Sequence, residues 1–244
     1  MITYYSDTKD LKSIHNPLID NSASMRYSGF FDVVKNDQTQ YFGTSLKKTL
    51  HNQGRIFCDD ASKLFSITEG YINLILSFPS TINNGVLSSV KFSNDEFMLW
   101  AVNMGQNDIG TPGIGAFLTK NGIEFRVKTS GGEYSLIDDS TLIFADTFFE
   151  IEFLWRSAGI EEIEVNPTMA IRVNKEGVVG SVVPIINDAV SNSTFYSAIG
   201  QSAPPSTNVF SDVQFQILDN QFNLNNLSCS VSRIIISDST PDYI

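Results

Sequence analysis

Short apolar or alternating runs, separated by glycine, asparagine and proline, fill the chain from about residue 65 onward. Residues 149–156 read Phe-Glu-Ile-Glu-Phe-Leu-Trp-Arg, so every second residue is large and apolar. Successive side chains of a strand point to opposite faces of a sheet. The pattern therefore predicts a strand with one face on a core and the other, which carries Glu150 and Glu152, in water. A helix would distribute the same apolar residues around its whole circumference.

Similar alternation predicts further strands over residues 123–128, 169–174 and 213–217, and longer apolar runs predict strands over 70–78, 97–102 and 229–237. The predicted connections contain residues that tolerate positive φ, as tight hairpin turns require. These turns are Asn121-Gly122, Gly131-Gly132 and Lys175-Glu176-Gly177. Together the signals indicate an antiparallel, all-β protein.

The first 60 residues are more polar and less regular. Residues 6–15 fit a short helix that would end at Asn16-Pro17, because the residue before a proline avoids the helical region. No charge block, repeat or low-complexity linker divides the chain. We therefore expect a partly irregular N-terminal arm over residues 1–60 that contributes an edge strand, followed by one β-sandwich domain over residues 61–244.

Composition supports a folded, acidic protein. The 244 residues are 42% hydrophobic and include 18 Phe, 8 Tyr and 2 Trp, which is enough apolar material for a large core. The formal net charge of −11 disfavours nucleic acid and anionic membranes as partners. The longest apolar run is far shorter than the roughly 20 residues that span a bilayer, so no membrane insertion is predicted.

Few residues suggest cofactor or redox chemistry, and no cofactor is predicted. Cys58 and Cys229 are too few for a disulfide framework, so two buried thiols are favoured over one long-range disulfide. His15 and His51 lack the spacing of zinc ligands. Calcium stays open, since several aspartates lie in segments with loop-like composition, although their spacing is irregular. These aspartates are Asp108, Asp138, Asp139, Asp188 and Asp219.

The order of the predicted strands resembles the laminin-G or concanavalin A-like jelly roll. The resemblance covers about residues 60–240 and includes Gly70-Tyr71-Ile72-Asn73-Leu74, the turn Asn174-Lys175-Glu176-Gly177 and the closing strand from Cys229. It implies an antiparallel sandwich of two sheets, in which the final strand returns beside the first. Calcium and glycan sites occur in the family, but none of their ligands is placed on a position of this chain.

Glycoside hydrolases with this sandwich use a Glu-x-Asp-x-(x)-Glu pattern on one strand, which points all its acids into one cleft. Here Glu150-Ile151-Glu152 is followed by Phe153-Leu154-Trp155, and Glu161-Glu162-Ile163-Glu164 by Val165-Asn166-Pro167, so both clusters lack the closing acid. We interpret them as a solvated strand face and a charged loop, and we predict no enzymatic activity. Trp100 and Trp155 could stack on a sugar but fit core positions better.

Three functions remain open. A jelly roll without a secretion signal and with only two cysteines favours a non-catalytic structural or attachment protein of a virion, such as a bacteriophage fibre, spike or capsid-decoration subunit. It would be made in the host cytoplasm, be released by lysis and contact copies of itself and other virion subunits, with a glycan as a further ligand. A stand-alone carbohydrate-binding module ranks second, and a glycan hydrolase or lyase third.

Any glycan site is expected in the long connections at the sandwich rim, because long loops in compact domains are often functional. These connections span residues 103–115, 158–168 and 190–206. Phe195 and Tyr196 in the last connection are the candidate sugar-stacking aromatics.

Overall fold

The computed structural model describes residues 2–7, 25–28, 32–35, 44–48, 55–77, 97–104, 112–119, 121–129, 132–138, 148–161, 163, 168–175, 185–187, 210–217 and 229–240. Within these ranges the chain forms β-strands and one 3-10 helix, Ala61–Lys63. The strands are β1 (Ile2–Asp7), β2 (Arg26–Ser28), β3 (Asp32–Lys35), β4 (Thr44–Lys48), β5 (Arg55–Cys58), β6 (Glu69–Ser77), β7 (Phe97–Val102), β8 (Gly113–Thr119), β9 (Gly122–Thr129), β10 (Gly132–Asp138), β11 (Phe148–Arg156), β12 (Met169–Lys175), β13 (Ile185–Asn187), β14 (Phe215–Ile217) and β15 (Cys229–Ser237).

The strands form two sheets. Sheet A has the order β13-β12-β11-β6-β15-β4-β3, and β1 also pairs with β15. Sheet B has the order β10-β9-β8-β7-β14-β5-β2. Each of these pairings is antiparallel. The predicted all-β sandwich is confirmed, and so is the return of the final strand, because β15 pairs with β6.

The core lies between the two sheets and is rich in aromatic rings. Its large, fully buried rings include Phe65, Trp100, Phe125, Phe153 and Trp155. The indoles of Trp100 and Trp155 stack at 5.7 Å with an interplanar angle of 22°. Phe65 meets Trp155 edge-on at 5.1 Å. Edge-to-face and offset contacts are the arrangements that the ring quadrupoles favour. The prediction that both tryptophans are core residues is confirmed.

Gly70 lets Trp155 approach the backbone of β6. A Cβ atom built at Gly70 would lie 2.2 Å from Trp155 Cζ2, which no side chain tolerates without displacement. The Trp155 indole Nε1 donates to the carbonyl oxygen of Ser66 at 3.0 Å. The indole is therefore held by packing on one side and by a hydrogen bond at its polar atom.

The hairpin prediction at Asn121-Gly122 is confirmed. Gly122 has a φ of 126°, a region that favours glycine, and it pairs with Thr119 across the turn. At the second predicted turn, Gly132 begins β10 and pairs with Thr129. At the third, β12 pairs with β13, and residues 176–184 lie outside the described residues.

The helix predicted over residues 6–15 is wrong at its start. Ser6 and Asp7 belong to β1 and pair with Ile234 and Arg233 of β15. A ladder of backbone hydrogen bonds to a distant strand outweighs the weak local preference of a polar segment. Residues 8–15 lie outside the described residues.

The first 60 residues supply strands to both sheets. β2 and β3 lie at the edges, whereas β5 lies inside sheet B between β14 and β2. Ile56 and Cys58 of β5 are buried in the main core. The predicted division of the chain at residue 60 stays a prediction.

Cys58 has a free, buried thiol, as the sequence favoured. Burial raises the pKa of this thiol, because the thiolate would lose its hydration. Cys229 begins β15 in the other sheet. None of the described helical residues forms a segment long and apolar enough to cross a membrane.

Candidate functional site

The outward face of sheet A carries a group of polar side chains on neighbouring strands. Register places Glu152 of β11 opposite Asn73 of β6 and Arg172 of β12, and it places Glu150 opposite Asn174. Residues directly opposite one another in an antiparallel pair project from the same face. We call this group the outer polar cluster; its members are Tyr71, Asn73, Glu150, Glu152, Arg172, Asn174 and Arg233.

Glu152 is the buried centre of the cluster, with 3% of its surface exposed. The Tyr71 hydroxyl donates to Glu152 Oε1 at 2.6 Å, and Arg172 Nη2 donates to the same oxygen at 2.7 Å. Arg172 Nε donates to Glu152 Oε2, so the guanidinium binds both carboxylate oxygens. Burial disfavours the charge of Arg172, but its hydrogen bonds and attraction to Glu152 outweigh burial and raise the Arg172 pKa.

Glu150 forms the more exposed border of the cluster. Its Oε1 accepts from Arg233 Nη2 at 2.5 Å and from Asn73 Nδ2 at 2.8 Å, and its Oε2 accepts from Asn174 Nδ2 at 3.2 Å. Ile75 of β6 is paired with Arg233 of β15 on one side and with Glu150 of β11 on the other. The Arg233 side chain therefore extends across β6 to reach Glu150. The side chains of Arg233 and Glu150 are 22% and 27% exposed.

Asn73 joins the two halves of the cluster. Its Nδ2 donates to Glu150 and also to the Tyr71 hydroxyl at 3.1 Å. Its Oδ1 is buried and has no hydrogen-bond partner in the part of the chain that the structure describes. A buried acceptor without a donor lowers the stability of the fold by about 1–3 kcal/mol, so a ligand donor at this oxygen would recover part of that free energy.

Apolar residues cover one end of this face. Ile160 and Ile163, which follow β11, pack with Tyr71, Leu154 and Ala170 in a second hydrophobic cluster. Glu150, at the other end, keeps contact with solvent. The face is therefore buried at Tyr71 and Asn73, whereas Glu150 and Arg233 at its border are partly exposed.

The predicted solvated face is wrong for Glu152. Alternation in the sequence shows which side chains point away from the core, but not what packs on the outer face. Here Arg172 and Tyr71 neutralise and bind the carboxylate. A glycosidase nucleophile or proton donor must turn its carboxyl group toward the substrate, whereas both Glu152 oxygens are already bound within the protein.

The other sequence candidates are spread over the fold or lie outside the described residues. Glu161 is exposed in the connection after β11, and Asp138 is buried at the end of β10. Residues 105–111 and 190–206 lie outside the described residues. So do His15, His51, Asp108, Asp139, Glu162, Glu164, Asp188, Phe195, Tyr196 and Asp219. Among the residues that are described, no three acidic, histidine or cysteine side chains form a group suited to a metal ion.

Sequence reasoning missed five members of the outer polar cluster. Tyr71 and Asn73 stand two apart in β6, and Arg172 and Asn174 stand two apart in β12. This spacing is the available signal, because it places each pair on one face of its strand. The sequence does not show which strands are neighbours, so it could not join these pairs to Glu150 and Arg233.

No protein-family model and no curated protein matches the sequence. Solved structures do match. The binding domain of Paraclostridial Mosquitocidal Protein 1 matches with a TM-score of 0.59 at 12% identity, covering 91% of this chain and 46% of that one. The receptor-binding domain of a botulinum neurotoxin C/D mosaic serotype matches with a TM-score of 0.57 at 11% identity, covering 99% and 48%.

The ligand-binding domain of botulinum neurotoxin serotype D, solved in complex with N-acetylneuraminic acid, matches with a TM-score of 0.52 at 10% identity, covering 91% of this chain and 44% of that one. The chain thus spans less than half of each of these three structures. At such low identity the similarity concerns the fold. The protein shares its β-sandwich fold with part of these toxin binding domains.

Proposed function

We propose that the protein is a non-catalytic binding domain that recognises a glycan. The observation that carries this proposal is the fold that it shares with toxin receptor-binding domains, one of them in complex with a sugar acid. Fold alone does not fix function, so the chemistry of this chain must support the proposal as well.

The outer polar cluster supplies that chemistry. Sugar hydroxyls both donate and accept hydrogen bonds, and the cluster combines carboxylate acceptors, guanidinium donors and amides on one face. Ion pairs and hydrogen bonds hold Glu150 and Glu152 in place before any ligand arrives. Such preorganisation reduces the entropy lost on binding.

The geometry supports binding over hydrolysis. Glu152, the better buried of the two carboxylates, is bound through both oxygens by Arg172 and Tyr71. Using it for catalysis would require breaking a buried ion pair, which is costly because a charge would be left uncompensated.

A glycan array of neutral and sialylated oligosaccharides tests the proposal with the purified chain. We expect the folded chain to bind at least one glycan that the heat-denatured protein does not bind. Mass spectrometry of the bound oligosaccharide after prolonged incubation should show the intact mass. A chain that binds no glycan would contradict the proposal, and cleavage products would favour the hydrolase alternative.

The virion context and self-association stay predictions. None of the three matching structures named above is a virion protein. Light scattering of the purified chain would test self-association: a symmetric oligomer would support the attachment-protein hypothesis, and a stable monomer would count against it.

A further inference from the structure

We infer that the outer polar cluster is itself the glycan site and that it selects a neutral sugar with two adjacent hydroxyl groups. This inference rests on the proposed function and makes it specific. It places binding on the face of sheet A, whereas the sequence indicated the rim loops.

Glu150 provides the first ligand contact. A carboxylate has about four acceptor positions, and three donors from the described residues reach Glu150, on Asn73, Asn174 and Arg233. One position therefore remains for a ligand hydroxyl. The side chain is 27% exposed, so a ligand can approach it from solvent.

Asn73 provides the second contact. Its Oδ1 and Nδ2 atoms belong to one planar amide, and Nδ2 donates to Glu150 at 2.8 Å. The acceptor Oδ1 is therefore close to Nδ2, the atom that donates to the Glu150 carboxylate. Two acceptors this close match two hydroxyl groups on adjacent carbons of a sugar ring. Oδ1 is buried, so a second hydroxyl must displace a covering side chain to reach it. We infer that Arg233 moves, because its side chain is 22% exposed and bonds the same Glu150 oxygen as Asn73.

Charge sets the preference for a neutral ligand. The cluster contains two carboxylates and two guanidinium groups, so its formal charges cancel, and the whole chain carries a net charge of −11. Glu150 lies at the border where the ligand enters. Arg233 lies at the same border, but the two proposed contact atoms, a Glu150 oxygen and Asn73 Oδ1, are both acceptors. A sugar carboxylate would offer no donor to either atom and would lie against the like charge of Glu150, which disfavours an anionic ligand.

Titration calorimetry of Glu150→Gln and Glu150→Asp tests the site, using the neutral array glycan that binds best and sialyllactose as the anionic probe. We expect each variant to bind the neutral glycan at least about tenfold more weakly, since a hydrogen bond to a charged group is lost or lengthened. Glu150→Asp keeps the charge and so separates geometry from electrostatics.

Glu124→Gln is the matched control. Glu124 lies on β9 in sheet B and pairs with Arg126 at 2.7 Å, so this variant also loses one partly buried ion pair. We expect it to bind like the wild type. Circular dichroism and thermal melting establish that all three variants are folded.

Two results would overturn the inference and leave the proposed function intact. One is equal binding by the Glu150 variants and Glu124→Gln, which would place the glycan elsewhere. The other is tighter binding of sialyllactose than of any neutral glycan. Wild-type protein that binds no glycan would overturn both the inference and the proposed function.

Discussion

The two tryptophans of the core differ in the hydrogen bonding of the indole nitrogen. Trp155 Nε1 donates to Ser66, whereas Trp100 Nε1 is buried with no hydrogen-bond partner among the described residues. Both indoles are fully buried and stack on each other. The same substitution at the two positions therefore removes similar volume but different hydrogen bonding.

We expect Trp155→Phe to lower the free energy of unfolding by about 1 kcal/mol more than Trp100→Phe. The first variant leaves the Ser66 carbonyl without its donor, and the second removes a donor that has no partner among the described residues. Chemical denaturation followed by circular dichroism measures both values. Equal losses would show that the hydrogen bond to Ser66 contributes nothing.

At the scale of elements, side-chain pairs link strands that are already joined by backbone hydrogen bonds. Glu152 and Arg172 link β11 to β12, and their side chains are only 4% and 12% exposed. Glu69 and Arg156 link β6 to β11 in a setting with more solvent, with 34% and 20% exposure. Burial makes the first pair the more sensitive to loss of one partner.

Glu152→Gln should therefore destabilise the protein by about 3 kcal/mol, because it leaves the Arg172 charge buried without a counter-charge. Glu69→Gln is the control and should cost less than about 1 kcal/mol. The double variant Glu152→Leu with Arg172→Met should regain much of the loss. Denaturant melts of the wild type and the three variants measure these differences. A Glu152→Gln variant as stable as the wild type would contradict the assigned ion pair.

Asp60 caps the N-terminus of the 3-10 helix and accepts a hydrogen bond from the distant residue Asp212. Hydrogen bonds from the hydroxyl and the backbone N–H of Ser62, together with one from the backbone of Asp212, lower the pKa of Asp60. The ionised form is thus favoured in the folded state. Asp60 stabilises the fold fully above its unfolded pKa of about 3.9, and this contribution is lost as the pH falls through the lower folded pKa.

Asp60→Asn should therefore reduce the melting temperature at pH 6 and make no difference at a pH below the folded pKa. Asparagine keeps an acceptor for the helix cap, so the variant isolates the charge. Melting curves of both proteins from pH 2 to pH 6 test this. Parallel curves across the whole range would contradict the role of the Asp60 charge.

At the scale of the molecule, both sheets depend on strands from the two ends of the sequence. β5 pairs with β14 in sheet B, and β1 and β4 pair with β15 in sheet A. Ile56 of β5 is fully buried. The N-terminal 60 residues are therefore tied to the sandwich by backbone pairing and by packing.

We therefore expect a chain of residues 61–244 not to unfold cooperatively. Without β5, the edge of β14 is exposed and the core loses the buried side chains of β5. A chain that starts at residue 25 keeps β2 to β5 and serves as the control, for which we expect a cooperative transition. Calorimetry distinguishes the two. Cooperative melting of residues 61–244 would support the predicted division at residue 60.

Much of this fold was predictable from local patterns. The alternation in residues 149–156 gave the correct inward face, with Phe149, Ile151, Phe153 and Trp155 all in the core. The Asn121-Gly122 turn was predictable because few residue pairs tolerate its backbone conformation. The pairing of Ser6 and Asp7 with β15 was not, because it depends on contacts some 230 residues away in sequence.

The sequence by itself determined that the protein is built of strands with one face toward an aromatic core, because period-two alternation depends only on neighbouring residues. Only the tertiary structure decided that Tyr71 meets Glu152, 81 residues away, and that Glu150 meets Arg233, 83 residues away. Those contacts depend on strand order, register and the packing of the connection after β11. The candidate site is assembled by these long-range relations, which no local pattern specifies.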